Sequence, residues 1–314
     1  MTEIEFIGVT KEFASGLWRK KTAVNDVSFG IEAGAVVGIL GANGSGKSTS
    51  IKMMLGFLKP TRGEIRIGGK GPYDFHTRKM IGYLPENPRF QKFLKAGEVL
   101  RYYGGLAEMK GAELSARIDS LLELVGLKHA QRERVAGFSK GMIQRLAIAQ
   151  SLLHSPPVLI FDEPMSGLDP LGRREIRHLI QEIKKQMPVT ILFSSHILSD
   201  VELLCQSVLL LKAGRLTRQC SVSELLSGEP DQYRLVAKDV GESFRKRFGE
   251  KTQQLPEPDH VAFDLTGAEE LALVLAELQH SGGVVVSLTS LRRSLEDSLF
   301  LDRRSSTEKG AELL

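Results

Sequence analysis

An α/β fold with a parallel sheet is predicted by three short apolar runs and by the segment that separates two of them. Residues 36–40, 158–161 and 190–193 are runs of mainly apolar residues bounded by polar ones. Such near-continuous runs are typical of parallel strands that are covered on both faces. Residues 172–187 lie between the last two runs and carry apolar side chains at helical spacing. The result is a strand–helix–strand unit, which favours the α/β class.

Composition bounds the size and the partners of the protein. The 314 residues are 42% hydrophobic and 25% charged, which excludes a disordered or fibrous chain and allows one large or two modest domains. The net charge of +4 comes without concentrated basic runs, so we expect no nucleic-acid partner. Cys205 and Cys220 have neither metal-ligand nor CxxC spacing, which favours a reducing compartment. No apolar stretch reaches the roughly 18–20 residues that span a bilayer, and no secretory signal is visible. We therefore expect a cytoplasmic protein.

A helical insert is predicted within the first two-thirds of the chain. Residues from about 97 to 150 are expected to be helical throughout. Within them, residues 112–125 carry one apolar stripe, and Gly126 stands where a glycine commonly ends a helix.

A second, small α+β domain is predicted after a turn-rich link at residues 227–231. The strands expected there are residues 233–237, 261–265 and 284–288, and the helix is residues 269–279. The predicted domains are therefore residues 1–226 and 227–301, and the polar tail of residues 302–314 is expected to be flexible.

A phosphate-binding loop is predicted at residues 41–49, which read GANGSGKST. The segment fits the P-loop (Walker A) pattern, and it lies between a predicted strand and a helix predicted over residues 48–58. Its glycines let the backbone N–H groups wrap a phosphate, Lys47 reaches the β- and γ-phosphates, and the Ser48 hydroxyl ligates Mg²⁺. The nucleotide-binding residues predicted here are Gly41, Asn43, Gly44, Ser45, Gly46, Lys47, Ser48 and Thr49.

Two adjacent acids follow the second apolar run. Asp162 comes directly after residues 158–161, where it can hold Mg²⁺ through water, and Glu163 is placed to act as general base on an attacking water. Two acids after a strand also occur as ordinary solvated loop residues. The P-loop favours the catalytic interpretation.

Several further motifs, in the appropriate order, make residues 2–226 resemble the ATP-binding cassette (ABC) family. The matching segments are FSKGM at 138–142 for the signature, SGLD at 166–169 for the D-loop with Asp169, His196 for the switch histidine, YLPE at 83–86 for the Q-loop with Glu86, and Phe13 for the aromatic residue that stacks on adenine. A GTPase or kinase would not explain this set.

The resemblance implies a P-loop NTPase fold of the ABC nucleotide-binding type with a helical subdomain, and an ATPase that uses ATP and Mg²⁺. It implies that Lys47, Glu163 and His196 are catalytic and that Ser48, Asp162 and Glu86 surround the metal. It also implies a head-to-tail dimer, a homodimer here, that closes on two ATP molecules. In that dimer the signature residues Ser139, Lys140, Gly141 and Met142 act on the ATP of the partner subunit.

Several residues keep two interpretations. Ser139 is expected to cap a helix over residues 142–153, which is compatible with facing a phosphate. Phe13 either stacks on adenine or packs in the core, and Trp18 is a competing stacking candidate. Lys140 stands where the signature has a glycine, and its side chain points either toward the partner's ATP or to solvent, and Met142 stands where the signature has glutamine. Glu86 replaces glutamine and changes the charge near the γ-phosphate, which puts the hydrolysis rate in question.

The resemblance also implies a separate integral membrane permease, which would hold this subunit at the inner face of the cytoplasmic membrane. The family docks permeases at the helical insert and at the loop of residues 86–93, although these are equally compatible with ordinary surface. SLEDSLF at residues 294–300 resembles the ending of ATPase subunits from ABC-2-type exporters.

Other ABC proteins fit less well. ABC proteins of translation carry two cassettes, whereas this sequence has one P-loop. Chromosome and repair ATPases separate the P-loop from the signature by a long coiled coil, whereas Lys47 and Ser139 are 92 residues apart. A regulatory, non-transport ABC ATPase acting on a soluble complex stays as the alternative.

Overall fold

The computed structural model describes residues 2–15, 19–226, 232–241, 244, 248, 252–255, 257 and 259–291. The chain divides into two compact units, Met1–Leu225 and Leu226–Leu314, one residue before the predicted boundary. The predicted link at 227–231, the SLEDSLF segment, the tail and Trp18 lie outside the described residues.

The first unit contains the P-loop and all the motifs up to His196. Its strands are β1 (Thr2–Ser15), β2 (Arg19–Glu32), β3 (Val36–Leu40), β4 (Arg62–Ile67), β5 (Ile81–Leu84), β6 (Val158–Phe161), β7 (Thr190–Ser195), β8 (Ser207–Lys212) and β9 (Arg215–Ser221). Its helices are α1 (Lys47–Met54), α2 (Phe75–Lys79), α3 (Ala96–Leu106), α4 (Gly111–Leu124), α5 (Lys140–Leu152), α6 (Pro170–Gln186), α7 (Leu198–Leu204) and α8 (Val222–Leu226), the last ending at the unit boundary.

The main sheet confirms the predicted α/β class. Its strand order is β5-β6-β7-β3-β8-β9, and all neighbouring pairs are parallel except β8 with β9. Every residue of β3, β6 and β7 is buried, as continuous apolar runs predict. Because β7 lies between β6 and β3, the segments that follow these three strands meet at one edge of the sheet.

A second, antiparallel sheet in the order β2-β1-β4 was not predicted from the sequence. The register of β1 with β2 shifts between Phe6 and Val9 and again between Val9 and Lys11. Such bulges break the alternation of apolar and polar residues by which a strand is recognised. The sheet is nevertheless well packed, since the rings of Phe6 and Phe29 stack with centroids 4.4 Å apart.

The helical insert is less continuous than predicted. It consists of α3, α4 and α5, and the chain between α4 and α5 makes only two short 3₁₀ turns, Lys128–Ala130 and Val135–Gly137. The expectation of helix throughout residues 97–150 is therefore wrong in that stretch. Gly126 has the positive φ of 67° of a helix-ending glycine, and its N–H donates to the carbonyl of Glu123.

The second unit has the predicted α+β character. Its elements are β10 (Gln232–Lys238), β11 (Thr252–Gln254), β12 (His260–Thr266), α9 (Gly267–Ser281) and β13 (Val284–Leu291). The strands form an antiparallel sheet in the order β11-β12-β10-β13. Val274 and Leu278 of α9 are buried in a core with Phe244 and Phe263.

None of the helices in the described ranges has the length and apolarity that a membrane span requires.

Candidate nucleotide-binding site

A cavity of about 460 Å³ lies where the segments after β3, β5, β6 and β7 meet. Ligand pockets typically have volumes of about 300–1,000 Å³. The residues that line it are Phe13, Lys21, Thr22, Ala23, Asn43, Gly44, Gly46, Lys47, Ser48, Thr49, Glu86, Glu163, Ser166 and His196. The motifs did not point to Lys21, Thr22 and Ala23, because these residues belong to β2, which carries no motif. Ser166 begins the SGLD segment but was not predicted to line the site. Gly41, Ser45, Asp162 and Asp169 do not line the cavity.

The loop after β3 presents backbone rather than side chain to the cavity. Gly44 and Gly46 have φ values of 82° and 111°, which only glycine adopts without strain. A Cβ at Gly46 would also lie 2.8 Å from the carbonyl oxygen of Ala23. Gly46 precedes α1 and provides no side-chain cap, so the first N–H groups of this helix are available to an anion.

Lys47, the first residue of α1, holds its ammonium group over this loop. Nζ donates to the carbonyl oxygen of Gly41 at 2.6 Å and lies 3.6 Å from Oε1 of Glu163. The side chain is almost fully buried. The loop and the carboxylate after β6 therefore share one cation.

Ser194, near the end of β7, joins the two acids that follow β6. Its Oγ donates to Oδ1 of Asp162 at 2.7 Å and accepts the backbone N–H of Glu163 at 2.9 Å. Glu163 has a positive φ of 48°, a costly conformation for a residue with a side chain. Burial raises the pKa of Asp162, and the hydrogen bond from Ser194 opposes that rise. No role was predicted for Ser194 from the sequence. The feature that could have pointed to it is its position two residues before His196.

Glu163 and His196 are in direct contact. Nδ1 of His196 lies 2.8 Å from Oε2 of Glu163, and the two side chains are 46% and 12% exposed. One oxygen of Glu163 thus faces Lys47 and the other faces His196. The structure brings together the three residues that the sequence predicts to be catalytic.

Phe13 lies in β1 with its side chain at the cavity wall and 37% exposed. The alternative in which it packs in the core is therefore wrong. Nζ of Lys11 lies 5.2 Å from the centroid of its ring.

The signature residues lie outside the cavity of their own chain. Ser139 caps α5, accepting the N–H of Met142 at 3.2 Å, as predicted. Lys140 is exposed, and its ammonium group lies against Gly167 of the SGLD segment, where an added Cβ would collide with it. Nε2 of the buried Gln144 donates to the carbonyl of Pro164 at 2.7 Å, which ties α5 to the turn after Glu163.

Comparison with known proteins decides the family. The family model described as ABC transporter matches residues 24–166. An uncharacterised ABC transporter ATP-binding protein of Synechocystis is 37% identical over 298 residues, which cover 94% of this chain and 82% of that protein. The chain belongs to the ATP-binding proteins of ABC transporters. The bacitracin transport ATP-binding protein BcrA of Bacillus licheniformis is 39% identical and covers 71% of each chain.

Solved structures place the chain in the same family. The ABC subunit cbiO1 of Clostridium perfringens, part of the cbiONQ complex, superposes with a TM-score of 0.65 at 30% identity, covering 79% of this chain and 94% of its own. The ATP-binding cassette MJ0796, in a dimeric post-hydrolysis state with ADP and Pi, superposes with a TM-score of 0.63 at 25% identity. The match covers 70% of this chain and 98% of that cassette. As a member of this family, the chain is an ATPase.

The oxygen atoms at the cavity of this ABC protein fit a magnesium ion. Ser48 and Glu86 line the cavity, and the Ser48 hydroxyl, like that of Ser194, opposes the rise in the pKa of Asp162. Burial raises the pKa of Tyr83 to about 12, and the nearby charges of Asp162 and Glu86 add to this rise. Within the described residues no group of three or more His, Cys, Asp or Glu could hold a metal. Mg²⁺ usually needs only one or two carboxylates, because phosphates and waters complete its shell.

Proposed function

We propose that this ATPase works as a homodimer that closes on two ATP molecules and drives transport, in the export direction, through a separate membrane permease. The proposal rests on the contact of Glu163 with both Lys47 and His196 in the P-loop cavity. The signature residues 139–142 of the same chain do not line that cavity. We propose residues 1–226 as the ABC ATPase domain and residues 227–301 as an accessory domain.

In the proposed reaction, Glu163 is the general base. Its carboxylate takes a proton from water as the water attacks the γ-phosphorus, and the bond to the ADP oxygen breaks. Lys47 exchanges its hydrogen bond to Gly41 for the β- and γ-phosphates, and His196 donates to a γ-phosphate oxygen. Ser48 and Asp162, with Glu86 beside them, would hold Mg²⁺, which would neutralise part of the phosphate charge. Phe13 stacks on adenine at the cavity wall.

The proposed dimer follows from the position of the signature. Ser139 satisfies one N–H at the start of α5 and leaves others for an anion. Since residues 139–142 do not line their own chain's cavity, their proposed ligand is the ATP of the partner subunit. A γ-phosphate bound by both subunits stabilises the closed dimer, and its release opens the dimer.

The proposed permease site is a group of aromatic side chains near Glu86 and on α3. Phe93 is 71% exposed, and Phe57 and Tyr102 are exposed as well. The ring of Tyr103 contacts those of Phe90 and Tyr102, and the ring of Phe57 contacts that of Tyr83 on β5. Exposed aromatic groups of this kind are common at protein interfaces.

The names of relatives support transport. BcrA is named a bacitracin transport protein, and the ABC transporter protein NatA of Bacillus subtilis is 39% identical over 66% of this chain. The export direction rests on the resemblance of SLEDSLF to ABC-2-type exporters. A permease partner places this chain at the inner face of the cytoplasmic membrane.

The dimer is tested with Glu163→Gln in the full chain. We expect this variant to bind ATP within about threefold of the wild type, to lose at least about 100-fold in hydrolysis and to run as a dimer in ATP and Mg²⁺. The matched control is Glu175→Gln, on an exposed residue of α6, which should behave as wild type. Undiminished hydrolysis by Glu163→Gln would refute the general-base role.

The transport role is tested by affinity purification from solubilised membranes. We expect an integral membrane protein to co-purify with the wild type and to be lost with Phe93→Ser, while basal ATPase activity stays unchanged. Leu203→Ser, at a residue of α7 that is 59% exposed, serves as the control. Recovery of a soluble complex without a membrane protein would support the regulatory alternative instead.

A further inference from the structure

Asp200 is a buried carboxylate outside the nucleotide cavity. It is only 1% exposed, and each of its oxygens meets a different guanidinium group of α6. Nη2 of Arg173 lies 2.6 Å from Oδ2, and Nη1 of Arg177 lies 2.9 Å from Oδ1. The two arginines are four positions apart and so share one face of α6. The carboxylate is therefore attached to α6 at two points.

This attachment joins two segments that carry motif residues. α6 begins after Asp169, which accepts the N–H of Gly172 at 2.8 Å and so caps the helix. Asp200 lies in the first turn of α7, four residues after His196. A narrow cleft is lined jointly by Asp200, His196 and Glu163. Asp200 thus connects the D-loop helix to the loop that holds His196.

Together with the buried side chains of Leu198 and Val201, this connection holds α7 in position. The helix has seven residues, and its N-cap residue, Ile197, provides no side-chain hydrogen bond. A helix this short is not stable by itself and is held by its contacts. Charge-assisted bonds to two guanidinium groups are strong and directional, so they fix both the place and the rotation of α7.

We propose that Asp200 is a positioning residue of the ATPase reaction, which acts through Arg173 and Arg177 to hold His196 against Glu163. The inference rests on the proposed function, since it assigns Glu163 and His196 to hydrolysis. Asp200 does not line the nucleotide cavity, so its loss should affect the chemical step rather than the binding of ATP.

The test compares Asp200→Asn with Asp200→Glu in the full-length chain. Asparagine keeps the shape and removes the charge, and glutamate keeps the charge. We expect Asp200→Asn to lower kcat by about 10- to 100-fold, the loss that a small displacement of a reacting group causes, with KM and the Kd for ATP within about threefold. Asp200→Glu should recover part of kcat. Arg177→Met should lower kcat as well, and combining it with Asp200→Asn should add little, because both remove one network.

Two controls separate this role from general destabilisation. Arg117→Met removes another half-buried guanidinium, one that donates to the carbonyls of Leu152 and Leu153 in the helical insert. It should lower the Tm and leave kcat unchanged. If Asp200→Asn does not fold, the kcat of Arg177→Met and of Arg177→Lys is compared instead, because Arg177 is one of the two partners of Asp200. Wild-type kcat in Asp200→Asn and Arg177→Met, with Glu163→Gln inactive, would overturn the inference and leave the proposed function intact. Full activity of Glu163→Gln would overturn the proposed function itself.

Discussion

Nδ1 of His196 lies 2.8 Å from Oε2 of Glu163, although 33 positions separate the two residues in the chain. The contact exists because β6 and β7 are parallel neighbours, so the residues that follow them meet at one sheet edge. Since Lys47 faces the other oxygen of Glu163, the carboxylate lies between two donors.

Replacing His196 with alanine should slow hydrolysis without preventing ATP binding. The variant removes the partner of Glu163 and the proposed donor to the γ-phosphate, so kcat should fall by about 10²-fold or more. Nucleotide affinity should change by less than about threefold, since the P-loop is intact. His178→Ala, at an exposed histidine of α6 outside this cavity, should keep full activity. A kcat for His196→Ala within about twofold of the wild type would contradict the assignment.

Replacing Lys47 with alanine should weaken ATP binding itself. A hydrogen bond to a charged group is worth about 1.5–3 kcal/mol, which corresponds to a rise in the Kd for ATP of about 10- to 100-fold. Lys52 lies on the same helix and is exposed, so Lys52→Ala is the matched control. Equilibrium binding of a fluorescent ATP analogue measures both. Equal affinities for the two variants would exclude Lys47 as a phosphate ligand.

Replacing Phe13 with alanine should raise the KM for ATP and leave kcat nearly unchanged. Stacking of a base on an aromatic ring is worth about 1–3 kcal/mol, so KM should rise by about 5- to 100-fold, whereas Phe13→Tyr should keep the wild-type value. Ile7→Ala, at another exposed residue of β1, controls for damage to the strand. An unchanged KM in Phe13→Ala would remove Phe13 from the nucleotide site.

The pKa of Asp162 predicts how the variant Asp162→Asn changes stability with pH. Burial raises this pKa above the ordinary value of 3.8, so the folded state binds the proton more tightly than the unfolded chain does. Ionisation of Asp162 therefore costs stability as the pH rises from about the ordinary value through the raised one. Because asparagine cannot ionise, the free energy of unfolding of Asp162→Asn relative to the wild type should increase across that window and then level off.

Unfolding by urea without nucleotide, from about pH 2 to about pH 8, measures this difference. Asp119→Asn is the control, and its stability relative to the wild type should change with pH in the opposite direction. The reason is that hydrogen bonds from Lys128 and Gln131 lower the pKa of the exposed Asp119. Its variant should lose a little stability relative to the wild type as the pH rises. A difference between Asp162→Asn and the wild type that does not vary with pH would show that the buried charge carries no cost.

Local patterns in the sequence were enough to predict the parts of the molecule that depend on local physics. The apolar runs at β3, β6 and β7, the P-loop glycines and the helix-ending Gly126 are features whose residue types dictate a backbone conformation over a few positions. The motif order also sufficed for the family. The antiparallel sheet of β1, β2 and β4 was missed because bulges break its periodicity, and a continuous helical insert was predicted where two 3₁₀ turns occur.

By itself, then, the sequence determined the α/β class, the ABC family and the identity of Lys47, Glu163 and His196 as candidates. Tertiary structure alone decided that these side chains touch and that Phe13 lies at the cavity wall rather than in the core. It also decided that Ser194 bonds to both acids after β6 and that Asp200 pairs with two arginines of α6. The physical reason is that strand order in a sheet sets which loop ends become neighbours. That order depends on packing across the whole unit, which no local spacing encodes.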